Sequence, residues 1–465
     1  MPTLLIILHI FFVSFTDKPE KTTPALSPRA IEQREKWNIP TDGMDYPVSP
    51  MYLNQVRKAG ARVHHVSRWL NGATVEMSDE TAEIVAKMQC VTAVEKTRIG
   101  SDSPFSPRRI TKRFDEAVPY VTDAQLDIYN LRPLHNAGFE GQGILMAVCD
   151  GGFSCADTLS CFRQKELQLG YFDFTDDTYG FYEAGSSGGH GTACLSAISG
   201  IQKDYYGAAT KAQYYLMRSE EYVTESPKEM DNLVAALEKA DSLGVNIFSV
   251  SLGYYRFDNP EWDIDQQKLD GKTYRASRAA HIAARKGMLV CVAAGNEGNK
   301  EWHTICVPSD ADSVLTVGAV GYDSIAGKFS SYGPAADGRI KPDVCAVGVS
   351  AALISQEGQI YYANGTSFAT PLTAGLAACL WSALPNENAM QIRERIIRST
   401  DRYDDPESGQ YGYGIPDAWR AYQMDRPSDI KTIQVEDQPR KIIRGSEILI
   451  IRHGYIYNLA GQRVQ

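Results

Sequence analysis

Between residues 119 and 425 the chain alternates short apolar runs with segments of helical periodicity. Four of these runs are largely apolar, which is typical of parallel strands covered on both faces: 144–149, 214–217, 245–250 and 288–293. Residues 230–237 carry apolar side chains at helical spacing, and residues 273–285 predict a second helix that stops at Gly287. Alternating strands and helices predict an α/β fold with a parallel sheet, and a functional site at the carboxyl ends of its strands.

The N-terminal part of the chain has a different pattern. Residues 4–15 are almost wholly apolar. This length suits the hydrophobic region of a secretory signal better than a membrane span, so residues 1–17 are predicted to be a signal peptide, with an uncleaved N-terminal anchor as the alternative. Residues 18–49 are polar and contain prolines, a composition that indicates a linker.

A second, smaller domain is predicted before the α/β region. Residues 50–98 contain two helical segments, a turn at Asn71-Gly72 and three segments with strand patterns, which together predict an α+β module. Residues 99–118 include a basic stretch rich in serine and proline, which predicts an exposed linker open to proteolysis. The tail, residues 426–465, has short strands broken by glycines and predicts a β-rich appendage without assignable chemistry.

Composition excludes several classes of protein. A formal net charge of −10 and a pI near 5.4 argue against nucleic-acid binding. No run outside the N-terminus approaches the eighteen or so apolar residues of a membrane helix, so no internal membrane span is expected. Nine cysteines in 465 residues do not form a disulfide scaffold, and the absence of a CxxC pair gives no sign of zinc.

Four polar residues stand where chemistry is expected. Asp150 follows the apolar run 144–149, His190 lies in Gly-Gly-His-Gly-Thr, and Asn296 follows the run that ends at residue 293. Ser367 lies in Asn-Gly-Thr-Ser-Phe-Ala-Thr-Pro, at the start of an apolar helical segment. Each has an ordinary alternative: a turn aspartate, a buried structural histidine, a turn asparagine and a helix N-cap serine.

In this order and in these motifs, the four residues resemble those of the subtilase (subtilisin-like) serine peptidase family. The resemblance covers residues 119 to about 425, and it implies a subtilisin-like parallel sheet flanked by helices. It also implies that Ser367 is the nucleophile, His190 the general base and acid, Asp150 the orienting carboxylate and Asn296 an oxyanion donor.

The resemblance extends to substrate binding. Ser251, Leu252 and Gly253 match the segment that pairs with an extended peptide, and Ala294 and Gly295 match the other side of the first specificity pocket. Two departures concern the shape of the site, namely Ser196 in place of a usual glycine and the pair Tyr254-Tyr255 after Gly253. No cofactor is implied for the chemistry and no metal ligand is identified; many relatives bind calcium, but the sequence has no clear calcium-loop signature.

The family also implies a zymogen. Residues 50–98 resemble its inhibitory propeptide, so the chain is expected to be cut between Arg98 and Tyr120 and to have its own prodomain as a partner, besides polypeptide substrates. The expected function is that of an exported serine endopeptidase in the periplasm, at the cell surface or outside the cell. Cys194, four residues after His190, resembles the free thiol beneath the histidine of the proteinase K-like branch; the alternative is a small buried apolar residue.

Two rival functions remain to be weighed. An α/β-hydrolase esterase needs its histidine after the serine, and the only histidine after Ser367 is His453 in the tail. The order of residues therefore argues against it. A peptide-binding pseudoprotease would keep the groove without turnover, and the presence of all four catalytic residue types argues against that.

Overall fold

The computed structural model describes residues 7–19, 23–99, 121–162, 165–175, 180–183, 188–222, 224–407 and 409–424, and the backbone of 440–444, 447–452 and 455–458. The chain divides into two compact units, residues 1–422 and 423–465. The first unit contains an N-terminal domain and the α/β domain. The second contains the tail.

The N-terminal domain is a four-stranded antiparallel sheet with helices α2 and α3 on one face. Its elements are β1 (His9–Phe15), α1 (Pro28–Lys36), α2 (Pro50–Lys58), β2 (Arg62–Ser67), β3 (Gly72–Met77), α3 (Asp79–Ala86) and β4 (Val91–Arg98). The strand order is β2-β3-β1-β4, so β1 lies between β3 and β4. Apolar residues of the sheet pack against those of α2 and α3 to form a core of its own.

The apolar segment that was predicted to be part of a signal peptide is instead a strand of the folded domain. Residues 9–15 form strand β1 of this sheet. Phe11, Val13 and Phe15 face the core of the N-terminal domain, whereas Phe12 packs into the core of the α/β domain. A strand that is covered on both faces is a continuous apolar run, and its pattern is the same as that of a signal sequence. The N-terminal domain therefore includes residues well before Pro50.

The segment assigned to a linker is also structured. Helix α1 lies within residues 18–49, and its N-cap Ser27 accepts a hydrogen bond from the backbone N–H of Ala30. Arg34 on this helix and Asp45 after it are buried. A sequence does not show whether a charged residue is solvated or is buried against an opposite charge. For this reason the polar composition of residues 18–49 suggested a linker.

The α/β domain carries the remaining strands and helices of the first unit. Its helices are α4 (Val121–Asp127), α5 (Arg132–Asn136), α6 (Gly188–Ser199), α7 (Lys228–Leu243), α8 (Arg275–Arg285), α9 (Thr366–Ala383), α10 (Ala389–Arg398) and α11 (Ala418–Gln423). Its strands are β5 (Leu145–Asp150), β6 (Gln168–Asp173), β7 (Ile201–Gln202), β8 (Tyr205–Tyr206), β9 (Gln213–Arg218), β10 (Ile247–Val250), β11 (Leu289–Ala293), β12 (Leu315–Val320), β13 (Val344–Val347), β14 (Ala351–Ile354) and β15 (Ile360–Ala363).

Seven of these strands form a parallel sheet in the order β13-β12-β11-β10-β5-β9-β6, and the predicted α/β fold is confirmed. Helices α6 and α9 cover one face of the sheet, and α7 and α8 cover the other. Side chains of β5 alternate between the two: Met146 and Val148 face α6 and α9, whereas Leu145 and Ala147 face α7 and α8. Asp150 shares the parity of Met146.

The second unit contains a three-stranded antiparallel sheet of β16 (Arg440–Arg444), β17 (Glu447–Arg452) and β18 (Tyr455–Asn458). These are the short strands expected in the tail. Among the described residues, no helix has the length and apolar character needed to cross a membrane.

Candidate active site

The site begins at the carboxyl end of strand β5. Asp150 is the last residue of this strand, and its position along the strand directs its side chain to the face covered by α6. Helix α6 begins two residues before His190. Gly191 allows the close approach of helix and strand, since a Cβ at this position would lie 2.9 Å from the Cβ of Asp150. The local backbone therefore brings His190 onto Asp150.

The contact between these two side chains orients the imidazole. His190 Nδ1 lies 2.8 Å from Oδ1 and 3.0 Å from Oδ2 of Asp150, which also accepts a hydrogen bond from the N–H of Gly151 at 2.8 Å. Because a carboxylate only accepts, Nδ1 carries the proton, and Nε2 is left to act as a base when the ring is neutral. Asp150 is buried, whereas the side chain of His190 is 20% exposed.

Two opposed effects act on the pKa of His190. Burial is the largest single effect and lowers it, whereas the negative charge of Asp150, Cys194 and the hydrogen bond to Asp150 raise it and together outweigh burial. The pKa of His190 consequently lies well above its ordinary value. The imidazole is thus strongly stabilised in its protonated form, which is the form that a general base reaches after it has taken a proton.

Ser367 is the second residue of helix α9 and is mostly buried. Its Oγ donates a hydrogen bond to the carbonyl of Ser251 at 3.2 Å, and no hydrogen bond joins it to His190 among the described residues. The backbone N–H of Ser367 lies in the first helical turn, where N–H groups have no acceptor within the helix.

Pro371 lies inside α9, four residues after Ser367, so the helix lacks the N–H that would bond to the Ser367 carbonyl. That carbonyl accepts from Ser251 Oγ at 2.7 Å and from Cys194 Sγ at 3.3 Å. Two side chains from other elements thus replace the missing helical donor and fix the backbone of Ser367.

Asn296 follows β11 and faces the start of α9. Its Oδ1 accepts hydrogen bonds from the N–H of Thr366 at 2.9 Å and from Thr366 Oγ1 at 3.1 Å. Since a backbone N–H can only donate, the atom that contacts it must be the amide oxygen. The Nδ2 group is therefore turned away from Thr366 and is available to donate to another group.

These residues share one cavity of about 570 Å³. Its lining includes all four candidate catalytic residues, Asp150, His190, Asn296 and Ser367. It also includes four of the five predicted binding residues, Ser251, Leu252, Gly253 and Gly295, together with Ala293 and Thr366. Within the described ranges, no hydrogen bond engages the backbone of Leu252 or Gly253, so both can pair with an extended peptide.

Ala294, expected to line the specificity pocket, does not. It is fully buried in the core beneath α7 and α8, and its neighbour Ala293 lines the cavity instead. Consecutive side chains of a strand point to opposite faces of the sheet, so only one of the two alanines can face the cavity. The motif does not show which of the two alanine side chains points to the cavity, so the sequence could not distinguish them.

The structure adds residues that no motif indicated. Cys306 lies under both walls of the pocket: a Cβ on Gly295 would be 2.7 Å from its Sγ, and a Cβ on Gly253 would be 3.0 Å from its Cβ. Glycine is therefore needed on both walls. Glu220, Glu221 and Glu225 also line the cavity. Burial, and then the charge of Glu225, raise the pKa of Glu220 to about 8.

Two groups of side chains in the described part of the chain are close enough to share a metal ion. One comprises Asp150, His190 and Cys194, and the other comprises Glu220, Glu225 and Glu229. In the first group Cys194 Sγ is 3.9 Å from His190 Nδ1. An ion bound there would compete with the contact between Asp150 and His190.

A buried carboxylate on an imidazole, with a serine at a helix N-terminus on the same cavity, is an arrangement found in serine hydrolases. Residues 141–414 match the family model described as the subtilase family, Peptidase S8. The chain belongs to this family, and the enzyme class it defines is that of serine endopeptidases. Residues 10–109 match a Peptidase S8 propeptide domain of Bacteroidota. The chain therefore carries a propeptide domain, and this domain includes strand β1.

Two curated relatives and one solved structure are consistent with this assignment. The serine protease AprX of Bacillus subtilis is 28% identical over 314 residues, which cover 60% of this chain and 66% of AprX. Subtilisin E of Bacillus subtilis is 26% identical over 372 residues, which cover 79% of this chain and 85% of subtilisin E. MycP1 from Mycobacterium smegmatis has the same fold, with a TM-score of 0.52 and 20% identity over 70% of this chain and 89% of MycP1.

Proposed function

We propose that this chain is the zymogen of an exported serine endopeptidase that cuts peptide bonds through Asp150, His190 and Ser367. The observation that carries the proposal is the buried Asp150 carboxylate on Nδ1 of His190, with Ser367 on the same cavity. An oriented imidazole next to a serine at a helix N-terminus has the residue types and positions that acyl transfer needs.

In the first half of the reaction, Ser367 Oγ attacks the carbonyl carbon of the scissile bond. His190 Nε2 takes the hydroxyl proton, and Asp150 stabilises the imidazolium that forms. The oxyanion receives hydrogen bonds from Asn296 Nδ2 and from the backbone N–H of Ser367. Collapse of this intermediate breaks the C–N bond, and His190 returns its proton to the leaving amine.

The second half releases the acyl group from Ser367. Water enters in place of the amine, His190 takes a proton from it, and a second tetrahedral intermediate collapses to the carboxylic acid and free Ser367. Thr366 supports both halves because it holds the amide oxygen of Asn296 at 2.9 Å. A fixed amide needs little reorganisation when charge develops on the substrate.

The position of the propeptide domain supports a zymogen. Strand β4 ends at Arg98, whose Nη1 lies 3.4 Å from Oε2 of Glu221, a residue that lines the catalytic cavity. The chain that follows β4 thus starts at the rim of the cleft. We expect cleavage between Arg98 and Tyr120, after which the propeptide domain inhibits the enzyme until it is lost. Such an inhibited precursor is useful to a peptidase that is exported.

The test of the catalytic assignment is the labelling of Ser367 by a fluorophosphonate probe. The processed protein should be labelled and should hydrolyse peptides, and Ser367→Ala should lose both, with a drop in kcat of about a millionfold as in subtilisin. Ser382→Ala, a change at the far end of the same helix, is the matched control. Peptide hydrolysis by Ser367→Ala at the level of the control would refute the assignment, and an unlabelled processed protein would favour a pseudoprotease.

The zymogen is tested by the N-terminus of the processed form. Sequencing should place it between Arg98 and Tyr120, and the Ser367→Ala chain should remain unprocessed. A mature N-terminus upstream of residue 50 would contradict the proposal, because the propeptide domain would then stay attached.

A further inference from the structure

Between β1 and α2 the propeptide domain extends an arm, residues 23–48, that leaves its sheet and lies on the catalytic domain. Lys18 holds the base of the arm: its Nζ donates to the carbonyls of Gly43 at 2.6 Å, Tyr46 at 2.8 Å and Arg68 at 2.5 Å. Helix α1 forms the middle of the arm. The arm is thus a closed excursion of the chain that contributes no strand to the propeptide sheet.

The arm binds the catalytic domain at the edge of the sheet opposite the active site. Arg29 Nη2 donates to the carbonyl of Gly143 at 3.1 Å and to Asn246 Oδ1 at 2.7 Å, and its Nε donates to Gly244 at 3.1 Å. These three residues precede β5 and β10, whereas Asp150 ends β5. A six-residue strand separates the two edges by about 20 Å.

Four buried charges link the arm to helices α7 and α8. Arg34 of the arm donates to Asp45, also of the arm, at 2.6 Å, and to both oxygens of Asp241 at 2.8 Å. Asp45 accepts in turn from Lys286 Nζ at 2.7 Å. The sequence of charges is therefore Asp241, Arg34, Asp45, Lys286, with the outer two on the catalytic domain and the inner two on the arm.

Each of these four charged side chains lies next to one of opposite charge, and each is at most 5% exposed. Burial alone raises the pKa of Asp45, but Lys286, the N–H of Asp42 and Arg34 lower it below the ordinary value. Departure of the arm would leave Asp241 with Arg68 alone, whose Nη2 lies 2.5 Å from Oδ2, and would take both Asp42 and Asp45 from Lys286. Loss of one partner of a buried ion pair is costly because the remaining charge is uncompensated.

We propose that the arm is a second anchor that keeps the cleaved propeptide domain bound to the catalytic domain, independently of the cleft. This inference rests on the proposed zymogen for its biological role, but the binding itself needs no catalysis. Cleavage after Arg98 would cut the covalent link and leave Arg29, Arg34 and Asp45 in place.

The experiment uses the full chain with Ser367→Ala, so that the protein cannot digest itself. A recognition site for a sequence-specific protease is inserted within residues 101–118, the chain is immobilised by its C-terminus and cut, and the release of the N-terminal fragment is followed over time. Arg34→Gln should release the fragment about a hundredfold faster than the parent. Glu32→Gln, an exposed charge on the same helix, is the control and should change the rate by less than about twofold.

Two further variants keep the result interpretable. Asp241→Asn removes a carboxylate that Arg34 shares with Arg68, whose Nη2 lies 2.5 Å from Oδ2. Combined with Arg34→Gln it should add less than its separate effect, because the contact between Arg34 and Asp241 is lost only once. If Arg34→Gln prevents folding of the uncut chain, Arg29→Ala at the edge of the contact replaces it, with an expected acceleration of about tenfold.

Either of two results would overturn the inference. One is immediate release of the parent fragment once the linker is cut. The other is equal release from the Arg34→Gln, Arg29→Ala and Glu32→Gln chains. Because the chain is catalytically inactive by design, neither result depends on whether the peptidase assignment is right, and the labelling of Ser367 does not depend on the arm.

Discussion

The catalytic cleft and the arm contact both pair carboxylates with cations, yet they leave their polar groups in opposite conditions. In the arm contact, Arg34 and Asp45 have a charged partner on each side, and the contact is closed to solvent. In the cleft, Asp150 contacts only one nitrogen of His190, and Nδ2 of Asn296 is turned away from Thr366. Charged groups that are fully paired hold two parts of the protein together. Polar groups that are held in place but keep a free donor or acceptor can act on a substrate.

Asp150→Asn is expected to cause the largest loss of activity among the substitutions that affect the cleft but not the arm contact. The amide cannot hold the required tautomer of His190 and cannot stabilise its positive charge, so kcat should fall by about ten-thousandfold. Release of the propeptide domain from the cut Ser367→Ala chain should not respond to the same substitution. The exposed Asp157 provides the control, Asp157→Asn.

The same variant has a pH signature. His190 must be neutral to accept a proton, so activity is present above its pKa and lost as the pH falls through it. Asp150 raises this pKa, and without the carboxylate the remaining effect of burial lowers it. The acidic limb of kcat/KM should therefore move to lower pH in Asp150→Asn. An unchanged or higher limb would mean that Asp150 does not set the pKa of His190.

The difference between cleft and arm also explains what could be predicted from the sequence. Asp150, His190 and Ser367 each lie at the end of a strand or the start of a helix within a short motif, so local pattern and order single them out as candidates. The pair Arg34 and Asp241 joins positions 207 residues apart, and no local pattern records such a pairing. A polar segment that is folded against a charged partner has the composition of a linker.

Two other errors have equally local causes. Strand β1 is apolar on both faces because two domains cover it, and residues 4–15 therefore matched a signal sequence. Ala294 and Ala293 differ only in strand parity, which the motif does not contain. The sequence did predict the parallel sheet, because strands covered on both faces by helices are continuous apolar runs separated by helical periodicity.

Asn296→Ala should have a smaller effect than Asp150→Asn. One oxyanion donor is lost, and kcat should fall by about a hundred- to a thousandfold, the range measured for the corresponding change in subtilisin, with little change in KM. Asn299→Ala, an exposed asparagine three residues later, is the control. A loss confined to KM would assign Asn296 to substrate binding instead of to the transition state.

Asn296→Asp sharpens this prediction. The aspartate keeps an oxygen for the N–H of Thr366 but lacks the donor and adds a negative charge, so activity should be no higher than in Asn296→Ala. If it were close to that of the wild type, the role of Asn296 would be to position Thr366 and not to donate to the oxyanion.

The smallest effect is expected at Cys194, which is buried next to His190 and reacts with nothing in the proposed mechanism. Its Sγ is one of two donors to the carbonyl of Ser367, and Ser251 supplies the other. Cys194→Ala should therefore keep most activity, with a loss of no more than about tenfold for one weak hydrogen bond. Cys194→Ser keeps a donor and should lie closer to the wild type.

Mercurial reagents should nevertheless inhibit the wild-type enzyme strongly. The Sγ of Cys194 is 3.9 Å from Nδ1 of His190, so an ion bound to the thiolate would take the imidazole away from Asp150. Cys194→Ala should lose this sensitivity while it keeps its activity. Equal inhibition of the variant would assign the effect to another cysteine, with Cys149 beside Asp150 the next to replace. An inactive but folded Cys194→Ala would show that the carbonyl of Ser367 needs both of its donors.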